Sequence, residues 1–109
     1  MFNLFNHSIN NENKDVNAVS QLSPQERFET LQKARQDLVG EIQAIIEYDN
    51  HLHNITDILA KGTWENIKSE ELKHVGELLG LINYLDPSQK QYVQAGLNEF
   101  MNRLKNNGE

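Results

Sequence analysis

The sequence predicts an all-α protein with three helices. Apolar residues recur at spacings of three, four and seven between Phe28 and Leu52, as they do in an amphipathic helix. Two stretches, 23–26 and 86–89, place proline directly after Ser or Asp, which is the pattern of a helix start. No segment shows the alternation typical of a strand. We expect an antiparallel two-helix hairpin followed by a short third helix.

The first helix is predicted to begin after Ser23. Ser23 at the N-cap, Pro24 at the first helical position and Glu26 two residues later combine a capping box with the preferred position of proline. Its end has two candidates. Residues 54–57 favour caps and turns, whereas Gly62 and the threonine after it could end one helix and start the next.

A metal-binding hypothesis chooses between these two ends. Glu71 and His74 are three residues apart, so they share one face of a helix and can converge on one point. Di-iron carboxylate bundles combine such a Glu-x-x-His pair with a Glu from a neighbouring helix, and Glu41 is the candidate here. A turn near residue 56 puts Glu41 and Glu71 level, each roughly 22 Å from it, whereas a turn at Gly62 offsets them by roughly 18 Å. We therefore predict the turn at 54–57 and a weak point or kink at Gly62.

The second helix is predicted to end near Leu85. Asp86 is the expected N-cap of the third helix, with Pro87 at its first position and Gln89 at its third. The third helix carries apolar residues from Tyr92 onward and ends before the polar residues 106–109.

The chain is predicted to consist of a disordered Asn-rich tail, 1–22, and a helical domain, 23–109. The tail has few apolar anchors and no sustained periodicity. Two long helices and one short one cannot enclose a four-helix core, so their apolar faces remain partly exposed. We expect the hairpin to dimerise into a four-helix bundle.

Composition excludes several classes of protein. The absence of cysteine rules out disulfides, thiolate metal sites and cysteine nucleophiles, so oxygen and nitrogen must hold any metal. A net charge of −6 argues against a general nucleic-acid binder. No segment approaches the roughly 20 apolar residues of a membrane span, and residues 1–6 have no features of a secretory signal. The expected partners include neither nucleic acid nor membrane, and the expected location is the cytoplasm.

Three residues are the candidate metal ligands: Glu41, Glu71 and His74. A Glu-x-x-His pair alone is weak evidence, because a chain of this composition contains about 0.4 by chance. Glu41 supports the metal-binding hypothesis because it lies in the apolar stretch 38–42, where a buried carboxylate needs a partner or a metal. Tyr48, two turns later on the same face, could donate a hydrogen bond to a ligating carboxylate. The alternative makes Glu41 a solvated surface residue and Tyr48 a core aromatic.

Other charged residues near the ligands are weaker candidates. Glu70 and Glu77 flank the pair, either as part of a charged helix face or as an entry route for cations. His51 and His53 lie beside the turn on different helical faces, so we expect both to be exposed to solvent.

A family resemblance makes the metal hypothesis more specific. It rests on Glu41, on the Tyr48-Asp49 and Thr56-Asp57 pairs at the turn, and on residues 70–74 with the same thirty-residue Glu-to-Glu spacing. With these features, the stretch from Ala34 to about Phe100 resembles the encapsulated ferritin-like protein family. Its members are small ferroxidases that bacteria package inside encapsulin shells.

This resemblance implies a ferritin-like fold and a site shared between subunits. Glu41, Glu71 and His74 would be direct iron ligands with Tyr48 beside them, two irons would bind at each dimer interface, and dimers would assemble into an annular decamer. An encapsulin shell would be the partner for iron storage. The chain departs from the family at Gly40 and Gln43, where comparable members carry carboxylates proposed to draw metal inward. Residues 104–109 also lack the small-residue and aliphatic signature of a targeting peptide.

The predicted function is therefore a ferroxidase that oxidises Fe(II) with O2 or peroxide at a di-iron centre. Two alternatives use the same residues: a non-catalytic oligomeric helical scaffold, in which they are surface charges, and a metal-buffering or metal-sensing protein. Calcium or zinc could occupy the same ligands as iron.

Overall fold

The fold within residues 21–108, the part that the computed structural model describes, consists of three α-helices without a strand. Helix α1 spans Pro24–Leu52 (29 residues), α2 spans Ile58–Leu85 (28 residues) and α3 spans Pro87–Asn107 (21 residues). The predicted all-α class is confirmed. The tail predicted at 1–22 lies, up to residue 20, outside the described residues. None of the three helices is long and apolar enough to cross a membrane.

The start of α1 follows the predicted capping pattern. The Ser23 hydroxyl accepts a hydrogen bond from the Glu26 amide at 3.0 Å, and the Ser23 amide donates to the Glu26 carboxylate at 3.2 Å. Two of the amides that a helix start leaves unpaired are thereby satisfied by local chemistry alone.

The turn between α1 and α2 lies at the predicted position. Asn54 adopts a left-handed backbone with φ of 62°, a conformation that Asn tolerates better than most residues. Asp57 then caps α2 by accepting a hydrogen bond from the Ala60 amide at 2.8 Å. Gly62, the rejected alternative for the turn, lies inside α2.

One residue, Asp86, joins α2 to α3 and caps both. Its amide donates to the Ile82 carbonyl at 2.8 Å, which closes α2, while its side chain accepts from the Gln89 amide at 3.2 Å, which opens α3. The hydrogen bond from the Ser88 hydroxyl, then that from the Gln89 amide, and more weakly the charge of Arg35, hold the pKa of Asp86 below its usual value. Because the Asp86 amide is already used by α2, the Gln89 side chain does not complete a capping box and instead accepts a hydrogen bond from Arg35.

Three polar contacts tie α1 to α2 along its length. Arg27 donates to the Leu85 carbonyl at 2.7 Å, Glu41 contacts His74, and Asp49 forms an ion pair with Lys68 at 2.5 Å. Residue numbers rise along α1 as they fall along α2. The two helices therefore lie side by side and run in opposite directions.

The buried core is small and lies at one end of the helix pair, near the α2–α3 junction. It consists of Leu31, Ala34, Ile82 and Leu85, with Leu22 and Leu38 packed against it. By contrast, 16 large apolar side chains of the described residues are exposed. The core of a single chain therefore leaves much of the apolar surface of its helices open to solvent.

Candidate metal centre

Glu41 lies in the row of side chains that α1 presents to α2. This row includes Ala34, Leu38, Ile45 and Tyr48, which are buried or half-buried and recur at spacings of three and four. Glu41 stands where the same spacing requires an apolar residue, and its side chain is only 21% exposed. A carboxylate at this position loses hydration, so it needs a partner that compensates for it.

The compensating groups come from α2. Nδ1 of His74 lies 3.1 Å from Oε2 of Glu41 and 3.2 Å from Oε1 of Glu71. One ligand atom from each of the three residues lies within 4.8 Å of the others, and residues 21–108 contain no second group of this kind. The turn at 54–57 brings Glu41 level with Glu71, as the sequence argument required.

The donor set fits a transition-metal ion with oxygen and nitrogen ligands. Glu71 is 20% exposed and His74 is 45% exposed, so the group lies at the edge of the helix pair and is not sealed within it. The oxygen atoms of Glu41 and Glu71 that contact Nδ1 of His74 are Lewis bases, as is an imidazole nitrogen that carries no proton, so the three atoms together can coordinate a divalent cation. Three protein ligands leave coordination positions open for a substrate or for ligands from another chain.

A shallow groove of about 530 Å³ leads to this group from one face of the helix pair. Its polar lining includes Asp37 and Glu77 as well as Glu41 and His74. Of the two predicted entry residues, Glu77 therefore lies on the groove, whereas the exposed Glu70 is paired with Lys73 at 3.1 Å. Sequence reasoning missed Asp37, although its position one helical turn before Glu41 on the same face could have indicated it.

Tyr48 contacts aromatic groups near the turn. Its ring meets His51 edge-on with the centroids 5.9 Å apart, and His51 in turn packs on Trp64 at 4.9 Å. Both His51 and His53 are exposed to solvent, as expected. Within residues 21–108 no hydrogen bond joins the Tyr48 hydroxyl to Glu41 or Glu71, so its predicted support of a ligating carboxylate stays a prediction.

Comparison with known proteins gives no relative from which to transfer a function. No protein-family model, no curated protein and no solved structure matches this chain. The group of Glu41, Glu71 and His74 and the surfaces around it are therefore the features from which a function can be inferred.

Proposed function

We propose that this chain belongs to the class of di-metal carboxylate proteins, with each centre shared by two copies. The observation that supports this is the convergence of Glu41, Glu71 and His74 within 4.8 Å at the rim of an open groove. Two such groups, facing each other, supply four carboxylates and two imidazoles, which is the ligand set of a di-iron centre in a four-helix bundle. The dimer also supplies the two helices that the bundle lacks.

We infer that the reaction is the oxidation of Fe(II). Carboxylates stabilise the more highly charged Fe(III), and imidazole accepts either oxidation state. Two Fe(II) ions together supply the two electrons that, with two protons, reduce one O2 to hydrogen peroxide or one peroxide to water. Glu41 and Glu71, which lie level with each other, would bind the cations, and Glu77 and Asp37 would attract Fe(II) along the groove. Since the groove already carries these carboxylates, the neutral residues at positions 40 and 43 do not prevent entry.

Within this class, the particular protein that we propose is an encapsulated ferritin-like ferroxidase. The support is the resemblance described above, in the ligands, the turn and their spacing. By that resemblance the dimers form an annular decamer, and an encapsulin shell, within the cytoplasm, receives the oxidised iron. A protein with no cage of its own can oxidise iron but needs a shell to store it.

An oxidation assay tests the proposal. Protein is mixed with Fe(II) without oxygen, O2 is admitted, and Fe(III) is followed by stopped-flow absorbance. We expect Glu71→Ala and His74→Ala to slow oxidation at least about tenfold, since even groups outside the ligand set cost that much when removed. Glu65→Ala and His53→Ala are matched controls at exposed positions outside the group and should oxidise iron as fast as the parent. Equal rates for all four variants would show that the site is wrongly assigned.

The same samples separate the alternatives. A metal-buffering protein binds Fe(II) stoichiometrically without accelerating its oxidation, and a non-catalytic scaffold binds none. Elemental analysis of the purified protein also shows whether it carries zinc or calcium, either of which the same ligands could bind. Sedimentation with and without Fe(II) tests the shared centre, because a protein that stays monomeric with iron bound cannot use ligands from two chains.

A further inference from the structure

Helix α3 carries an apolar stripe that is largely open to solvent. No residue of α3 is buried, and Leu97, Phe100 and Met101 are 56%, 58% and 60% exposed. Together with Val93 and Leu104 they recur at spacings of three and four, so they lie along one side of the helix. We name these five residues the α3 stripe.

The α3 stripe lies on the side of α3 that is turned toward α1. Arg35 of α1 donates hydrogen bonds to the side chains of Asp86 and Gln89, so the first turn of α3 holds Gln89 against α1. Val93 and Phe100 follow Gln89 by four and eleven residues, spacings that keep all three on one side of the helix. Beyond its first turn α3 leaves the helix pair, since none of its residues is buried. The stripe is therefore one wall of an open corner between α3 and the helix pair.

The helix pair supplies the second wall of this corner. Val39 and Ile42 follow Arg35 by four and seven residues, so they share its side of α1, and both are exposed. Leu79 of α2 is exposed on the same side of the pair, away from the residues that line the groove. Both walls of the corner are therefore apolar, and neither contains a candidate metal ligand.

An unpaired buried acceptor lies beside the second wall. Asn83 follows Leu79 by four residues and so shares its side of α2, close to the α2–α3 junction. Its Oδ1 is buried and has no hydrogen-bond partner among residues 21–108. Because buried side-chain oxygens nearly always accept a hydrogen bond, an occupant of the corner should offer N–H donors as well as apolar groups.

We propose that residues 2–9 of the same chain occupy this corner and pack on the α3 stripe. Residues 1–20 lie outside the part of the chain that the structure describes, but the chain enters that part at the corner, since Leu22 packs against the core at the α2–α3 junction. The stripe lies roughly 10–27 Å along α3 from Asp86. About a dozen residues separate Ile9 from Leu22 and can span up to roughly 40 Å, so the segment can reach the whole stripe.

The chemistry of residues 2–9 matches the corner. Phe2, Leu4, Phe5 and Ile9 are apolar, and the asparagines among residues 2–9 carry side-chain N–H donors that Asn83 can accept from. The segment contains no Asp, Glu, Lys or Arg, so its burial removes none of these charges from water. The charged side chains of residues 1–20 all fall within 10–15, which can remain in solvent between the segment and Leu22.

The covalent link favours the segment of the same chain over that of a second copy. Docking of a tethered segment is intramolecular, and a short flexible linker gives it an effective concentration in the millimolar range. A segment that docks weakly can therefore cover the stripe within its own chain. This docking does not rest on the proposed function, because the corner lies on the side of the helix pair away from the groove.

A nitroxide label on the segment tests this docking in the full chain. The sequence contains no cysteine, so Ser8→Cys provides a single labelling site, and NMR of isotope-labelled protein shows which backbone amides the label broadens. We expect broadening at residues 93–104 and none at 58–66, at the other end of the helix pair. The absence of broadening at 93–104, or stronger broadening elsewhere, would overturn the proposal.

Substitutions on both sides of the contact identify the groups that meet. Phe5→Asp in the segment and Phe100→Asp in the α3 stripe should each abolish the broadening at 93–104 while circular dichroism stays helical. Asn13→Asp lies outside the segment and Asn102→Asp on the opposite side of α3; both add the same charge and should retain the broadening. Broadening that persists in Phe5→Asp would show that the segment does not pack through its apolar side chains.

A mixed sample distinguishes the same chain from a second copy. Isotope-labelled protein without nitroxide is combined with unlabelled protein that carries the nitroxide at Ser8→Cys. The proposal predicts no broadening in this mixture, because each segment occupies the corner of its own chain. Broadening as strong as that of the singly labelled protein would assign the contact to a second copy and refute docking within one chain.

Discussion

Replacement of Glu41 by leucine tests whether this carboxylate is present for a metal or for the fold. Glu41 occupies a position that the spacing of Leu38 and Ile45 assigns to an apolar residue, and its side chain is 21% exposed. Burying leucine there should gain about four-fifths of the usual 1.5–3 kcal/mol. The change loses the 3.1 Å contact with His74, worth about 1 kcal/mol. Without metal, the free energy of unfolding of Glu41→Leu should therefore be about 1 kcal/mol higher than that of the parent. This difference raises the melting temperature by about 4–8 °C.

With metal bound, the parent should become more stable than Glu41→Leu. A ligand at one hundred times its dissociation constant stabilises the native state by about 2.7 kcal/mol, and Glu41→Leu should gain little of it. Thermal unfolding followed by circular dichroism, first with chelator and then with anaerobic Fe(II), measures the stability without metal and the stabilisation by metal. Glu41→Gln is the control that keeps the shape of the side chain and removes its charge. If Glu41→Leu were less stable than the parent in chelator, the contact between Glu41 and His74 would stabilise the fold without metal. The proposal that this carboxylate is present to bind a cation would then fail.

Three further changes probe the fold. Ile82→Ala, at a side chain with no exposed surface, should cost about 2–5 kcal/mol in urea unfolding, and a cost near zero would mean that the small core does not hold the helices together. Asn54→Ala should cost about 1 kcal/mol because its φ is 62°, and Asn54→Gly should not; equal stabilities would show that the turn is unstrained. The pKa of Asp86 is lowered, chiefly by the Ser88 hydroxyl, so its contribution is present above its unfolded value near 3.8 and is lost as the pH falls through the lower folded value. Asp86→Asn should therefore lose less stability than the parent between pH 7 and pH 3 in urea titrations, and identical losses would contradict this role.

Much of the fold was predictable because its signals are local. The capping box at Ser23 and the cap at Asp86 each depend on residues within three positions, so spacing along the chain suffices to find them. The turn was harder, since both 54–57 and Gly62 have suitable residues. It was resolved only by requiring Glu41 and Glu71 to lie level, a constraint between helices that residue propensity does not contain.

Long-range contacts account for what the sequence did not reveal. Arg27 binds the last carbonyl of α2 and Arg35 binds Asp86, so both arginines of α1 hold the α2–α3 junction. Neither has a sequence signal, because partners 58 and 51 residues away are defined by the packing of the helices. Asp37 likewise lines the groove because of how the two helices pack, which its sequence neighbours do not define. In contrast, the three candidate ligands could be predicted to lie together, since two share a helix turn and the third interrupts an apolar row.

The position of the core links the proposed metal centre to the proposed dimer. Leu31 and Ile82 pack at the end of the helix pair near α3, whereas Glu41, Glu71 and His74 lie nearer its middle, where the same interface is polar and open to the groove. The core end is held by apolar contacts within one chain, but the middle brings two carboxylates within 4.8 Å of each other. Under the proposed function, a cation would remove their repulsion, and a second copy over the groove would supply the burial that this part of the pair lacks. Metal binding and dimerisation should thus stabilise the same segment of the helix pair, so each should favour the other by an equal free energy.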